Sequence, residues 1–206
     1  MANESLKGRI QQLCANTGLR IQGIFSFNLS KNTRKANAGF TGIGGAKRII
    51  LSDTLLNDFS EEEIETVFAH ELGHYKHRHL HIGIAISIVA TVLGLFLTSL
   101  LYASSLGFFG FSTGKELAAL PLLALWLSLF GLVTTPLSNM LSRHHERVAD
   151  AYAVRATANA PAFVSALGKL AAINLADAEP HPLVEFLFYS HPSIAKRIRF
   201  VNSLGA

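Results

Sequence analysis

The sequence predicts a mostly α-helical protein with a small β-sheet, in which a transmembrane helical hairpin is inserted between two helices that share one site. Three observations predict it. His70, Glu71 and His74 form His-Glu-x-x-His, a spacing that puts both imidazoles on one face of a helix. Two uncharged apolar runs, residues 82–102 and 117–137, each have roughly the 20 residues that cross a hydrocarbon core as a helix. Between residues 21 and 51 lie short alternating stretches of the kind that form strands.

Taken in order, residues 6–17 read as a short helix ending near Gly18. Residues 21–29 alternate toward a strand, with Ile21, Gly23, Phe25 and Phe27 on one face. Residues 30–35 form a polar turn. Residues 36–43 and 47–51 follow as two strands joined through Gly44-Gly45, a hairpin signal. Residues 53–58 make a helical turn. Ser60 then stands three residues before Glu63, a capping-box signature, and Glu61, Glu62 and Glu63 fill a first turn where the helix dipole favours anions. Ile64, Val67, Phe68, Leu72 and Tyr75 supply an apolar flank and leave the histidines on another face. Gly73 inside a helix costs about 1 kcal/mol relative to Ala, which points to close approach by another helix or by substrate. No breaker separates His74 from Ile82, so this helix is expected to run straight into the first span. Pro121 falls in the first turn of the second run, where proline is tolerated, whereas Pro136 is expected to kink or close that helix. A helix over residues 138–157, another after Pro161 and a last one after Pro192 complete the chain. The chain thus divides into residues 1–81, the hairpin 82–137 and residues 138–206.

Composition agrees with this reading. Of 206 residues, 50% are hydrophobic and 16% charged, whereas charged residues make up about a quarter of a typical soluble domain. The net charge of +4 is explained by topology rather than by nucleic acid, which is not an expected partner. Ten Lys and Arg precede the first run and seven follow the second, while the connection carries only Lys115. By the positive-inside rule both flanking parts face the cytoplasm and the Phe/Gly-rich connection faces outside. Residues 1–9 are polar and lack the apolar core of a signal peptide. The single cysteine, Cys14, permits no intramolecular disulfide and reads as a small core residue.

Two imidazoles on one helix face can grip one metal ion, with Zn2+ the default. Glu71 would sit beside the ion's open position, where it can take a proton from water. A third protein ligand is then needed. The best candidate is Glu146, with Asp150 one turn further on the same face and able to accept the far ring proton of a ligand histidine. An exposed helix of mixed charge explains the same stretch equally well. His144 and His145 are rival ligands that project off that face. His77 with His74 makes an i, i+3 pair, but only the upstream pair brings a glutamate placed as a base. His77, His79 and His81 are expected at the membrane surface, where a polar tip on an amphipathic residue is comfortable. His191, in Ser190-His191-Pro192, could donate to the oxyanion of a tetrahedral intermediate or serve as a cap or turn residue. Arg197, between Lys196 and Arg199, reads equally as a solvated base.

His70-Glu71-Leu72-Gly73-His74, the Glu-x-x-x-Asp of Glu146 and Asp150, and Ser190-His191-Pro192, in this order, resemble the integral-membrane zinc metallopeptidases. That group holds the type I CAAX prenyl endopeptidases and the HtpX-type quality-control proteases. Asn37-Ala38, residues 47–56 and residues 186–197 look like the CAAX branch. The resemblance implies a gluzincin-like metalloprotease domain holding one Zn2+ on His70, His74 and Glu146. It makes Glu71 the general base, has Asp150 orient a ligand histidine and His191 steady the oxyanion, and puts Arg197 near the active site. Asn37 and Ala38 would lie on an edge strand that pairs with an extended substrate. It further implies a peptide or protein substrate, C-terminally prenylated in the CAAX branch. The setting would be the lipid bilayer, of bacterial inner-membrane or endoplasmic-reticulum type, with a cytoplasmic active site. Two rival functions stand beside this one. The first is general proteolysis of damaged membrane proteins. The second is a zinc-stabilised binding domain without cleavage, against which Glu71 speaks, since a structural site has no need of a base. Ser193 stands where family members commonly have a second proline. Both branches also carry spans ahead of the metal helix that have no counterpart here. The chain is accordingly expected to be a piece of a longer protein, a compact member, or one whose spans come from a partner. The enclosed chamber of the CAAX branch would then be incomplete, which bears on prenyl selectivity and not on the zinc chemistry.

Overall fold

A computed structural model describes residues 4–19, 21–31, 38–41, 47–175 and 177–205. Asn37 and the Gly44-Gly45 turn lie outside them. Helix α1 (Glu4–Ala15) turns Leu6, Ile10, Leu13 and Cys14 inward, the i, i+4, i+7 spacing of an apolar stripe. Cys14 is a core residue, and burial pushes its thiol up to about 11.

Three strands follow, β1 (Ile21–Phe27), β2 (Ala38–Thr41) and β3 (Lys47–Ser52), in the spatial order β1-β3-β2. The antiparallel β2–β3 pair, with Ala38 opposite Leu51, agrees with the expected hairpin, and β1 runs parallel to β3. The central strand β3 buries Ile49 and Leu51 in the core, and β2 is left as an edge. Ser52 caps the short helix α2 (Asp53–Asp58) by accepting from the Leu55 amide.

Helix α3 (Glu61–Lys76) begins with the complete capping box: Ser60 Oγ accepts from the Glu63 amide, and Glu63 Oε2 accepts from the Ser60 amide at 2.8 Å. Glu63 also accepts from Lys169 Nζ and Ser165 Oγ, both at 2.6 Å, so the start of α3 is tied to helix α6 (Ala160–Asn174). Ile64, Phe68 and Leu72 are buried on the predicted flank.

The expectation that α3 runs straight into the apolar run is corrected. The helix ends at Lys76, Arg78 adopts the left-handed conformation with φ 55° and ψ 32°, and helix α4 (His79–Ser105) starts afresh. A left-handed non-glycine residue costs roughly 1–2 kcal/mol. Nothing local demands it, but beyond it His79 turns back and is buried against His74 and His145.

Residues 117–119 form a short 3₁₀ turn into helix α5 (Leu120–Thr157). α5 returns along α4. Trp126 Nε1 donates to Ser105 Oγ at 3.0 Å, and Phe130 lies where a Cβ on Gly94 would be, 2.4 Å away. Both helices are long and apolar enough to cross a membrane, and only 11% of each apolar stretch is buried. Ile82, Ile84, Ile86 and Ile88 are each at least 41% exposed, part of an uncovered apolar belt far larger than single exposed residues produce. Pro136 does not close α5, a helix of 38 residues that runs through it. Proline removes one helical hydrogen bond, and packing against α4 on one side and α3 on the other carries the helix across the gap.

α5 ends at Ala158, and Asn159 caps α6 by accepting from the Ala162 amide. Helix α7 (Pro182–Phe188) was not expected; His181 caps it, with proline in the first turn. Helix α8 (Ile194–Gly205) completes the fold.

Candidate active site

The site forms where α3 meets α5. A Cβ built on Gly73 would stand 3.0 Å from Ala149 Cα and 3.1 Å from Tyr152 Cβ. Of the two partners expected for Gly73, it is therefore another helix that comes close. This contact draws Glu146 and Asp150 against His70 and His74. Gly73→Ala gains about 1 kcal/mol of helix propensity, yet pushes α5 away by a few tenths of an ångström. The atoms it meets are backbone and Cβ atoms that cannot swing aside, and overpacking of a core costs about 1–3 kcal/mol, so the expected outcome is a lower melting temperature, read by calorimetry.

His70 Nε2 and His74 Nε2 are 3.2 Å apart, His74 Nε2 is 3.2 Å from Glu146 Oε1, and His70 Nε2 is 3.4 Å from Glu146 Oε2. Ligands about 2.0–2.1 Å from a tetrahedral Zn2+ stand about 3.3–3.4 Å from one another. The two ring nitrogens therefore stand about one tetrahedral edge apart, and each has one oxygen of the Glu146 carboxylate at a similar reach. Glu146 Oε2 is also buried without a hydrogen-bond partner, a costly condition that a cation between these groups would relieve. Among the described residues His70, His74 and Glu146 are the group able to hold a metal. The rivals His144 and His145 are not in it.

Behind this face lies Asp150, fully buried. Its Oδ1 stands 2.9 Å from His70 Nδ1 and accepts from Arg197 Nη2 at 2.6 Å, and its Oδ2 accepts from Arg197 Nε at 2.9 Å. Burial alone would lower the His70 imidazole, but the neighbouring carboxylates of Asp150 and Glu146 outweigh it and hold it at about 9. The field here thus favours a positive charge. Burial acts against the Arg197 guanidinium as well, and its bonds to Asp150 raise it. Arg197 lines the cavity, with its Nε and Nη2 engaged by Asp150.

A cavity of about 320 Å³ opens over the metal position, lined by Val67, Glu71, Phe163, Leu167 and His191 together with the donor set. Glu71 sits on its wall. His191 leans in from the opposite side, Nε2 3.4 Å from Glu146 Oε1, and Ser190 Oγ lies 2.9 Å from its Nδ1. Ala38 lies on the edge strand β2.

Three side chains matter here that sequence reasoning passed over or put elsewhere. Arg143, buried inside α5, donates to the carbonyls of Glu185 and Tyr189 at the end of α7. Glu185 in turn holds the Ser193 amide and Lys196, so the turn bearing His191 is anchored on both sides. Nothing in the polar stretch Ser142-Arg143-His144-His145-Glu146-Arg147 singles this arginine out. His79, expected at the membrane surface, is only 8% exposed, whereas His77 and His81 are exposed as expected.

The description of peptidase family M48 matches residues 1–204. The chain is 36% identical over 203 residues to an uncharacterized metalloprotease, YhfN, of Bacillus subtilis, covering 97% of this chain and 48% of that protein. It is 33% identical over 211 residues to CAAX prenyl protease 1 of Saccharomyces cerevisiae, covering 94% and 46%. The crystal structure of S. mikatae Ste24p superposes with a TM-score of 0.82 at 30% identity, over 96% of this chain and 50% of that one. The chain spans about half the length of the curated relatives it matches.

Proposed function

The chain belongs to peptidase family M48, and on that premise we propose that it is a membrane-embedded zinc endopeptidase of the CAAX prenyl protease type. His70, His74 and Glu146 hold one Zn2+, and the observation that carries this reading is the convergence of two ring nitrogens 3.2 Å apart on the Glu146 carboxylate, whose two oxygens lie 3.2 and 3.4 Å from them. Zn2+ bound there would polarise the scissile carbonyl and make the attacking water more acidic. Glu71 takes a proton from that water and delivers it to the leaving amine. His191 donates to the carbonyl oxygen as negative charge gathers on it. Asp150 keeps the proton of His70 on Nδ1, and Arg197 keeps Asp150 in place.

The edge of β2 offers backbone groups to an extended peptide, with Ala38 as a pairing residue. The length and apolarity of α4 and α5 support their crossing a bilayer, and the basic flanks support a cytoplasmic active site. The names of the eukaryotic relatives support a C-terminally prenylated peptide as the substrate to try first.

The test is hydrolysis of a fluorogenic peptide by detergent-solubilised protein, offered with and without a C-terminal farnesyl group. Cleavage is expected to stop in excess chelator and to return with one equivalent of Zn2+. Cleavage that survives complete removal of metal sinks the zinc mechanism. Equal rates on the farnesylated and plain peptides sink the CAAX assignment alone.

A further inference from the structure

We propose that His79 is a positioning residue for the metal site, holding His74 in the one tautomer that can bind the ion. This inference rests on the metal site proposed above. His74 Nε2 faces His70 Nε2 and Glu146 Oε1, both at 3.2 Å, so its lone pair is needed on that side. The single proton of the neutral ring then belongs on Nδ1. Nδ1 lies 2.9 Å from Nδ1 of His79, which accepts that proton through its own lone pair. The two ligand histidines are thus served differently: His70 Nδ1 has the carboxylate of Asp150 at 2.9 Å, and His74 has a second imidazole.

Three features keep His79 in this role. It is 8% exposed, and its ring stacks on His145 with centroids 4.0 Å apart and planes 5° from parallel. The left-handed Arg78 supplies the third. In an unbroken helix a residue five places after His74 would lie about 140° around the axis and about 7.5 Å further along, out of reach of its Nδ1. The break folds the chain back so that the two rings meet. A histidine that only filled space would require neither the strained residue nor a nitrogen directed at the ligand ring.

The experiment measures zinc affinity of the detergent-solubilised chain by competition with a chromophoric chelator, for wild type, His79→Phe and His79→Asn. Phenylalanine keeps the stack and removes the acceptor; asparagine places Oδ1 close to the position of Nδ1. His79→Phe is expected to bind zinc about 10- to 100-fold more weakly, the usual cost of losing such a partner, and His79→Asn to recover most of that loss. The visible spectrum of the Co2+-loaded protein should change in the first variant and return in the second. If the phenylalanine variant does not fold, His79→Ala takes its place. Wild-type affinity in the variant without an acceptor, or an asparagine variant as weak as it, overturns the proposal while leaving the metal site standing. A wild-type chain that binds no zinc overturns both.

Discussion

Glu71→Gln is expected to lower peptide hydrolysis by about a hundredfold to ten-thousandfold, the range that general-base catalysis contributes, while the protein keeps its zinc. The substitution preserves shape and removes the ability to take a proton. Glu71 lines the cavity but is not one of the three donors that converge on the metal position, so metal content should not change. Single-turnover cleavage of the reporter peptide, paired with elemental analysis of the same sample, reads both quantities. Hydrolysis at the wild-type rate would remove Glu71 from the mechanism. Loss of zinc along with activity would make it a metal-holding group instead.

Glu146→Ala should act on the other half of the site. Dividing a structural zinc affinity of about 10–16 kcal/mol over four ligands assigns roughly 3 kcal/mol to each, so binding should weaken by more than about a hundredfold. The fold itself should tolerate the change, because Arg197 keeps both of its bonds to Asp150 and a buried oxygen without a partner is removed. The diagnostic is linkage. Zinc at a hundred times its dissociation constant stabilises a protein by about 2.7 kcal/mol, so wild type should melt higher in zinc than in chelator. The variant should melt at one temperature in both. A zinc-dependent shift retained in the variant would exclude Glu146 as a ligand.

The parts of the molecule that obey local rules were legible in the sequence. The capping box at Ser60, the apolar flank of α3, the antiparallel β2–β3 pair and the two apolar helices each follow from a periodicity or a cap. His70 and His74 were legible for the same reason, since His-Glu-x-x-His is a helix-face pattern, whereas Glu146 and Asp150 read equally as an exposed helix of mixed charge and were singled out by the family resemblance. What escaped was decided by contacts between distant residues. Arg78 has none of the features that favour a left-handed residue, and its conformation makes sense only once His79 is seen against His74 and His145. Pro136 was expected to kink or close its helix, and of the two the closure did not occur, with contacts to α4 before it and to α3 after it along α5. Helix α7 is seven residues long, too short for a hydrophobic period to stand out, and Arg143 reaches across from α5 to secure its end.

The unequal continuity of the two long helices gives the molecule a mechanical asymmetry. α5 is one rod that carries the apolar stretch at one end and Glu146 with Asp150 toward the other, while α4 meets the histidine helix through a joint at Arg78. Glu146 lies ten residues beyond Pro136, about 15 Å along the rod. On the proposed reading of α5 as a membrane span, a tilt that matches a thinner or thicker lipid layer would act on the helix that carries Glu146 and, through the Gly73–Ala149 contact, on its seat against the histidine helix. Lipid thickness would then be a setting of the proposed centre, and zinc affinities compared between nanodiscs of short-chain and long-chain lipid would read it; equal affinities in the two would remove it.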